Sequence, residues 1–186
     1  EIRYADADGN LLDTTAAVAA GAYKRSQIVT RYRNGCITVV NGNANDEYMA
    51  VNAYGRKVTL PPNGYAGWTE DRAIEVFSGE VHGHRADYAV TPEYIFIDGR
   101  GKLTRFPQAE GNGVGICRIR PDWKYEVILP DGSDCGFAIE ANQAVALDEE
   151  RNEIGTTTLR ESDGFIYVEP LPGAFSYLLD SGSTPK

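Results

Sequence analysis

The sequence is poor in the residues that build most catalytic and metal sites. It has 2 histidines, 3 cysteines and 1 methionine among 186 residues. Cys36, Cys117 and Cys135 lack the paired spacing of zinc or redox motifs. A disulfide between Cys117 and Cys135 would close a short loop, and three buried thiols are the alternative that the odd count favours. We therefore expect no cofactor.

Positive charge and long apolar runs are also scarce. The chain carries 18 lysines and arginines against 27 aspartates and glutamates, a formal net charge of −9. Nucleic-acid-binding proteins usually present a basic surface, so we expect no nucleic-acid partner. No stretch approaches the roughly 20 apolar residues of a membrane-spanning helix, so we expect no membrane span. The start of the chain shows no signal peptide and is strand-like at once, so we expect a piece of a larger protein.

Turn residues are abundant by contrast, and they separate short segments of strand composition. The 20 glycines and 9 prolines fall largely between such segments, and Asn-Gly and Asp-Gly pairs suit the positive φ of tight hairpin turns. The clearest hairpin joins residues 28–32 to 36–40 through Asn34-Gly35. Further strands are predicted at residues 56–60, 65–68, 74–81, 94–97, 125–129, 136–139, 156–159, 165–168 and 175–179. This spacing predicts an all-β protein, an antiparallel β-sandwich.

One segment has helical composition. Residues 11–20 are rich in alanine and end at Gly21, a favourable C-cap, although Thr14 and Thr15 leave an extended structure open. A polar stretch at residues 69–72 suggests a boundary, so we predict two packed β units at residues 1–70 and 71–180, with a disordered tail at 181–186. One large sandwich is the alternative.

Three local patterns suggest ligand sites but fail on closer inspection. His82 and His84 would need further zinc ligands, and a polar turn explains them better. The segment beginning at Asp6 starts like a calcium loop but lacks the glycine and glutamate that the loop requires. The glycine-rich segment 111–115 precedes a strand-like sequence rather than a helix, so we predict a flexible connection or a bulge instead of a phosphate site.

Two stretches resemble the β-rich modules that follow the catalytic barrel in many bacterial glycoside hydrolases. The first comprises residues 32–43, with an Asn-Gly hairpin, and residues 56–65, with a Leu-Pro-Pro turn. The second comprises residues 91–101 and the closing strand at 173–179. The family's catalytic carboxylates lie on its barrel, so the resemblance implies a non-catalytic accessory module that packs against the catalytic domain of the same parent chain. It also implies a secreted, periplasmic or cell-surface location.

Aromatic and charged residues provide the candidate carbohydrate contacts. Trp123 is flanked by charge and proline and is the ring most expected at the surface, where it could stack on a sugar. Tyr88 belongs to the same aromatic set, for which core packing is the alternative. Arg100 could hold a hydroxylated or anionic ligand, or form a local ion pair in its turn. Trp68 is expected at a core edge or module interface.

The functional hypothesis is therefore a non-catalytic accessory β-sandwich module of a larger secreted carbohydrate-active protein that also contacts glycan. An independent carbohydrate-binding module and a structural or adhesive surface domain are the alternatives. An enzyme is disfavoured because no nucleophile–base or metal constellation is evident in the sequence.

Overall fold

The protein is built almost entirely of antiparallel strands. The computed structural model describes residues 1–121, 124–130 and 132–180. Strands account for 51% of the chain and helices for 6%, which confirms the all-β, sandwich-like prediction. Within the described ranges, no helix is both long and apolar enough to cross a membrane. The chain divides into two compact units, Glu1–Arg85 and Ala86–Lys186.

The first unit contains a larger sheet, a two-stranded sheet and a short helical segment. Its strands are β1 (Ile2–Ala5), β2 (Leu11–Leu12), β3 (Gln27–Arg31), β4 (Ile37–Asn41), β5 (Met49–Ala53), β6 (Arg56–Leu60), β7 (Tyr65–Trp68) and β8 (Glu75–Val81). The larger sheet has the order β2-β1-β3-β4-β7-β8, and β5 pairs with β6. Both sheets contribute to one core, where Val29, Val39, Val51 and Leu60 are buried together.

The helical prediction for residues 11–20 is confirmed for residues 14–20. Helix α1 spans Thr14–Ala20, and the side chain of Asp13 accepts a hydrogen bond from the backbone N–H of Ala16 as an N-cap. Gly21 ends the helix at φ 72°, a conformation that glycine adopts without steric cost. A 3₁₀ turn follows at Ala22–Arg25. Leu11 and Leu12 form the short strand β2 instead of helix.

The second unit contains two sheets. Its strands are β9 (His84–Val90), β10 (Tyr94–Asp98), β11 (Thr104–Arg105), β12 (Ala109–Gly111), β13 (Val114–Ile119), β14 (Tyr125–Ile128), β15 (Cys135–Phe137), β16 (Gln143–Leu147), β17 (Glu153–Thr157), β18 (Leu159–Ser162), β19 (Phe165–Val168) and β20 (Ser176–Asp180). One sheet has the order β9-β10-β13-β14-β20-β16-β17 and the other β11-β12-β15-β19-β18. The single strand predicted at residues 156–159 is wrong, because the chain leaves one sheet at Thr157 and enters the other at Leu159.

The polar stretch at residues 69–72 does not separate the two units. It forms the turn between β7 and β8, which pair antiparallel from Trp68 and Glu75 onward. The units divide instead after Arg85, within β9. The stretch is polar and has a strand on either side. A tight hairpin turn and a linker between units both have this composition, so the sequence does not distinguish them. The predicted tail at 181–186 lies outside the described residues.

The same five-residue turn occurs once in each unit. Asp6 and Asn10 frame it in the first unit, where the Asn10 N–H donates to Asp6 Oδ1 at 2.8 Å. Asp148 and Asn152 frame it in the second, where the equivalent bond measures 2.7 Å. In both turns the aspartate N–H donates to the asparagine carbonyl oxygen at 3.0 Å. The segment that begins like a calcium loop is therefore a hairpin turn closed by its own side chains.

Candidate functional site

The most promising site is a cleft of about 340 Å³ in the first unit, which we call the arginine cleft. Aromatic and positively charged side chains dominate its walls, an unusual concentration for a chain with a net charge of −9. Its lining residues are Arg31, Gly35, Ile37, Tyr54, Gly55, Arg56, Trp68, Glu70 and Arg72.

Strand register places the floor of the cleft. Arg31 on β3 lies opposite Ile37 on β4, and Ile37 lies opposite Trp68 on β7. Antiparallel partners in register stand side by side across a sheet. Ile37 and Trp68 are both only 7% exposed, so the floor is part of the hydrophobic core and holds its shape.

The turn of the β5–β6 hairpin forms one wall. Tyr54 and Gly55 occupy its two central positions with φ values of 50° and 85°, as a type I′ turn requires. Arg56 follows as the first residue of β6. Because this turn matches the twist of the flanking strands, it holds Tyr54 and Arg56 at fixed positions above the floor.

The β7–β8 turn also lines the cleft and carries Glu70 and Arg72. Thr69 Oγ1 donates to Asp71 Oδ1 at 2.6 Å, and the Arg72 N–H donates to the Thr69 carbonyl oxygen at 3.0 Å. The hydrogen bonds lower the pKa of Asp71, that from Thr69 most of all, so the carboxylate that ties the turn stays ionised. Arg72 adopts φ 57° within this turn.

The guanidinium groups of the cleft differ in what they contact. Arg56 lies over the Trp68 ring at 4.8 Å from its centroid and also bonds Glu75 Oε1 at 2.5 Å. Arg31 lies over the Tyr54 ring at 5.1 Å. Within the described residues, neither Arg31 nor Arg72 forms an ion pair. Two of the three arginines that line the cleft are thus not paired with a described carboxylate.

Tyr54 is held at the rim by its hydroxyl group. That hydroxyl donates to Glu1 Oε2 at 2.7 Å, and the ring remains 38% exposed. Desolvation and the hydrogen bond to Glu1 raise the pKa of Tyr54, so the phenol stays protonated at neutral pH. The cleft therefore offers one accessible ring edge and several hydrogen-bond donors to a ligand.

Of the predicted carbohydrate contacts, the structure describes Tyr88 and Arg100. Tyr88 is 3% exposed and stacks on Phe106 with ring centroids 4.5 Å apart, so its faces are covered by the core. Arg100 bonds Asp87 Oδ2 through Nε at 2.6 Å, so its partner lies on β9 and not in its own turn. Since Asp87 and Tyr88 are consecutive on β9, their side chains point to opposite faces of the sheet. Trp123 lies outside the described residues.

Most residues of the arginine cleft were not among the predicted site residues. Tyr54 and Gly55 separate two segments of strand composition, and this pair could have indicated the hairpin turn that brings Arg56 forward. Trp68 was expected at a core edge, and it does line the floor of a surface cleft while buried. The arginines gave no signal of their own, because three strand or turn positions 16 to 25 residues apart (Arg31, Arg56, Arg72) meet only through the tertiary fold.

The other patterns noted in the sequence have structural roles. His82 adopts φ 49° beside Gly83 in a tight turn, and no group of three His, Cys, Asp or Glu side chains in the described ranges could hold a metal ion. Glycine at 111 allows close packing, since a Cβ there would lie 2.4 Å from Cys135 Sγ. The three cysteines are free thiols, and burial raises the pKa of Cys117 to about 12.

The second unit buries two carboxylates among arginines. Glu126 is 1% exposed and contacts Arg118, Arg120 and Arg151, the last at 2.9 Å, while Ser176 Oγ donates to it at 3.2 Å. Burial raises its pKa, but Arg151, Ser176 and Arg118 together outweigh burial, so the net pKa is lowered.

Glu110 is the other buried carboxylate and is 8% exposed. It accepts hydrogen bonds from Arg105 Nε and from the Tyr167 hydroxyl. The bond from Arg105 is the main cause that lowers the pKa of Glu110. Arg160 lies over the Tyr167 ring at 4.0 Å from its centroid. Both carboxylates are thus held ionised by arginine.

Comparison with known proteins gives no relative of this chain. No protein-family model, no curated protein and no solved structure matches it.

Proposed function

We propose that this chain is a non-catalytic β-sandwich module of a larger secreted carbohydrate-active protein and that it contacts glycan through the arginine cleft. The observation that supports the proposal is the cleft itself, in which Tyr54, Arg31 and Arg72 surround a floor fixed by paired strands. Its volume of about 340 Å³ falls within the range of small-molecule sites.

The chemistry of the lining residues suits a sugar. A sugar ring has an apolar C–H face and several hydroxyl groups, which need a ring surface and hydrogen-bond partners respectively. Tyr54 supplies the exposed aromatic edge, while the guanidinium groups supply planar arrays of donors. Glu70 at the rim adds an acceptor for hydroxyl groups. Because these side chains stand on strands and tied turns, little ordering is needed when a ligand binds.

The state of the buried carboxylates supports a non-catalytic role. Glycoside hydrolysis uses one carboxyl group with a raised pKa as the general acid, and a second carboxylate at a defined distance. Glu110 and Glu126 instead have lowered pKa values and are surrounded by arginine. Their arrangement stabilises the fold and does not favour proton donation at neutral pH.

The place of this module beside a catalytic domain is part of the same proposal. It rests on the two strand-and-turn patterns that resemble the accessory modules of glycoside hydrolases, one at residues 32–43 and 56–65 and the other at residues 91–101 and 173–179. A secreted, periplasmic or cell-surface location follows from the same resemblance. An independent carbohydrate-binding module would use the arginine cleft in the same way, so the two alternatives share one binding test.

Calorimetric titration with a panel of neutral and acidic oligosaccharides tests the proposal. At least one glycan should bind, and Tyr54→Asn should weaken that binding about tenfold, as expected for the loss of one good aromatic contact. Asparagine tolerates the positive φ at this position, so the turn should persist. Tyr65→Thr is the matched control, because Tyr65 is a 46% exposed tyrosine of the same unit outside the cleft.

Two results would contradict the proposal. One is binding of no glycan in the panel, or glycan binding that Tyr54→Asn leaves unchanged. The other is release of reducing sugar by the chain, abolished when a single carboxylate is replaced, since that would establish an enzyme.

A further inference from the structure

We propose that the arginine cleft selects an anionic glycan, one that carries carboxylate or sulfate groups, over a neutral one. The inference rests on the proposed function and specifies the class of sugar that the cleft takes. It follows from the charges at the cleft, from the way the arginines are held, and from what covers the aromatic rings.

The charge at the cleft opposes the charge of the whole chain. Three arginines and one glutamate, Glu70, line it, whereas the chain as a whole carries a net charge of −9. Two further glutamates contact the lining residues: Glu75 pairs with Arg56, and Glu1, which accepts from the Tyr54 hydroxyl, pairs with Arg3. A protein of that charge repels anions at long range, so any anion that binds must gain its free energy from local contacts. A local excess of positive charge on an acidic protein therefore favours selective rather than general anion binding.

Two arginines of the cleft are not paired with a carboxylate. Arg56 is partly neutralised by Glu75, at 2.5 Å. Arg31 lies over the Tyr54 ring, and neither Arg31 nor Arg72 forms an ion pair with a described residue. A guanidinium group bonds carboxylate or sulfate oxygens through two parallel N–H groups. Arg31 and Arg72, which line the same cleft, can thus each bind an acidic group.

The aromatic rings at the floor are not open platforms for a neutral sugar. Trp68 is only 7% exposed, and Arg56 covers its ring at 4.8 Å from the centroid. A ligand entering the cleft therefore meets guanidinium groups above this ring. The Tyr54 residue is 38% exposed, but Arg31 lies over its ring at 5.1 Å from the centroid, so stacking on a bare ring, the main contact available to a neutral sugar, is restricted there as well. An acidic sugar forms ion-paired hydrogen bonds between guanidinium and carboxylate or sulfate groups, which a neutral sugar cannot form.

Glu70 is the acidic residue among those that line the cleft. It is exposed and lies on the same turn as Arg72, in no ion pair with another described residue. Its carboxylate repels an anionic ligand at the cleft, whereas it would help to bind a neutral sugar through hydroxyl groups. Glu70→Gln should therefore tighten the binding of an acidic glycan and leave that of a neutral glycan unchanged or weaker.

The test compares matched ligands by calorimetry. The probes are an oligogalacturonate, its methyl ester, a sulfated chondroitin oligosaccharide and its desulfated counterpart, so that carboxylate and sulfate are distinguished. The acidic member of at least one pair should bind about tenfold more tightly than its neutral partner, as one charge-assisted hydrogen bond implies. This preference should shrink when NaCl is raised from about 50 mM to about 500 mM.

Variants assign the preference to the cleft. Arg72→Gln should weaken acidic binding about tenfold, and Glu70→Gln should strengthen it. Lys57→Gln is the matched control, because it removes one positive charge from an exposed position of the same unit outside the cleft. Equal weakening by Arg72→Gln and Lys57→Gln would overturn the inference, since only net charge would then matter.

The remaining outcomes separate this inference from the proposed function. Equal binding of the acidic and neutral members, reduced by Tyr54→Asn, overturns the anionic selection and leaves the glycan-binding proposal standing. Binding of neither these probes nor any glycan in the wider panel overturns both.

Discussion

The two units differ in the kind of polar side chain that they bury. In the first unit the largest buried polar side chains are amides, with Gln27 1% and Asn41 0% exposed. Asn41 Nδ2 donates to the carbonyl oxygens of Glu47 and Leu60 at 2.8 and 3.0 Å, and Gln27 Nε2 donates to Asn41 Oδ1 at 3.2 Å. In the second unit, Glu110 and Glu126 are carboxylates compensated by arginine.

This difference predicts a different response to pH. Amides do not titrate, so the buried network of the first unit is equally stable in acid and at neutral pH. Glu110 and Glu126 have lowered pKa values in the folded protein. A carboxyl group whose pKa is lowered by folding stabilises the folded protein when the pH is above the pKa of the unfolded chain, about 4.3. That stabilisation is lost as the pH falls through the pKa of the folded protein. The second unit should therefore weaken more in acid than the first.

The largest effect is expected for Asn41→Ala in the first unit. The change removes hydrogen bonds to two backbone carbonyl groups and to Gln27 at a fully buried position, which should cost about 3 kcal/mol of unfolding free energy. The loss should be the same at pH 7 and pH 4. Urea unfolding followed by peptide-resolved hydrogen exchange measures it separately for each unit.

Asn43→Ala is the control for this change. Asn43 donates to the Glu47 carbonyl oxygen at 2.9 Å, but its buried Oδ1 has no partner among the described residues. Removing that oxygen offsets part of the lost hydrogen bond, so the cost should stay below about 1 kcal/mol. Equal losses for the two variants would show that the network around Asn41 does not act as described.

Glu126→Gln should produce the next largest effect, and it should depend on pH. The neutral amide keeps the shape of the side chain but leaves Arg118, Arg120 and Arg151 without their shared carboxylate. Since the arginines are partly exposed, the cost at pH 7 should be about 2 kcal/mol, below that of stranding a fully buried charge. The cost should shrink progressively below about pH 4, as protonation neutralises Glu126 in the parent protein.

The comparison between the units makes this result decisive. A penalty for Glu126→Gln that is constant from pH 7 to pH 3 would mean that packing, not charge, holds this part of the second unit. A pH-dependent penalty for Asn41→Ala would show that the amide network is coupled to a titrating group. Either result would remove the proposed difference between the units.

Much of the fold could be predicted from the sequence because its signals are local. Asn34-Gly35 between two apolar segments specifies a hairpin, and β3 and β4 form it. Gly21 specifies the end of α1. Met49–Ala53 was missed as a strand because Tyr54, a bulky residue, occupies the first positive-φ position of the following turn. The predicted boundary between the units differs from the observed one because the turn at residues 69–72 has the composition of a linker.

The candidate site could not be predicted in the same way. Arg31, Trp68 and Arg72 come together because β4 and β7 pair across 31 residues of sequence, from Ile37 to Trp68. No local pattern records that pairing. Tyr88 was selected for its chemistry alone, and the alternation of β9 placed it on the buried face beside Phe106. Aromatic and arginine residues therefore indicate a binding site only after their sheet face is known.

The smallest effect concerns the turn that both units share, and it tests whether their difference lies in the core alone. Asp6→Ala and Asp148→Ala each remove a carboxylate that accepts from the asparagine N–H and side-chain amide four residues later. Because the geometry is the same, both should lower the urea midpoint of their own unit by similar amounts, each less than Glu126→Gln does. The two turns differ in the residue that has positive φ. In the first turn it is Gly9, at φ 81°, where a Cβ would lie 2.3 Å from the Ala50 carbonyl oxygen. In the second turn it is Arg151, at φ 68°, whose side chain pairs with Glu126. A clearly larger loss for Asp148→Ala would show that the turn also positions Arg151 against Glu126, which would link this surface turn to the charged core of the second unit.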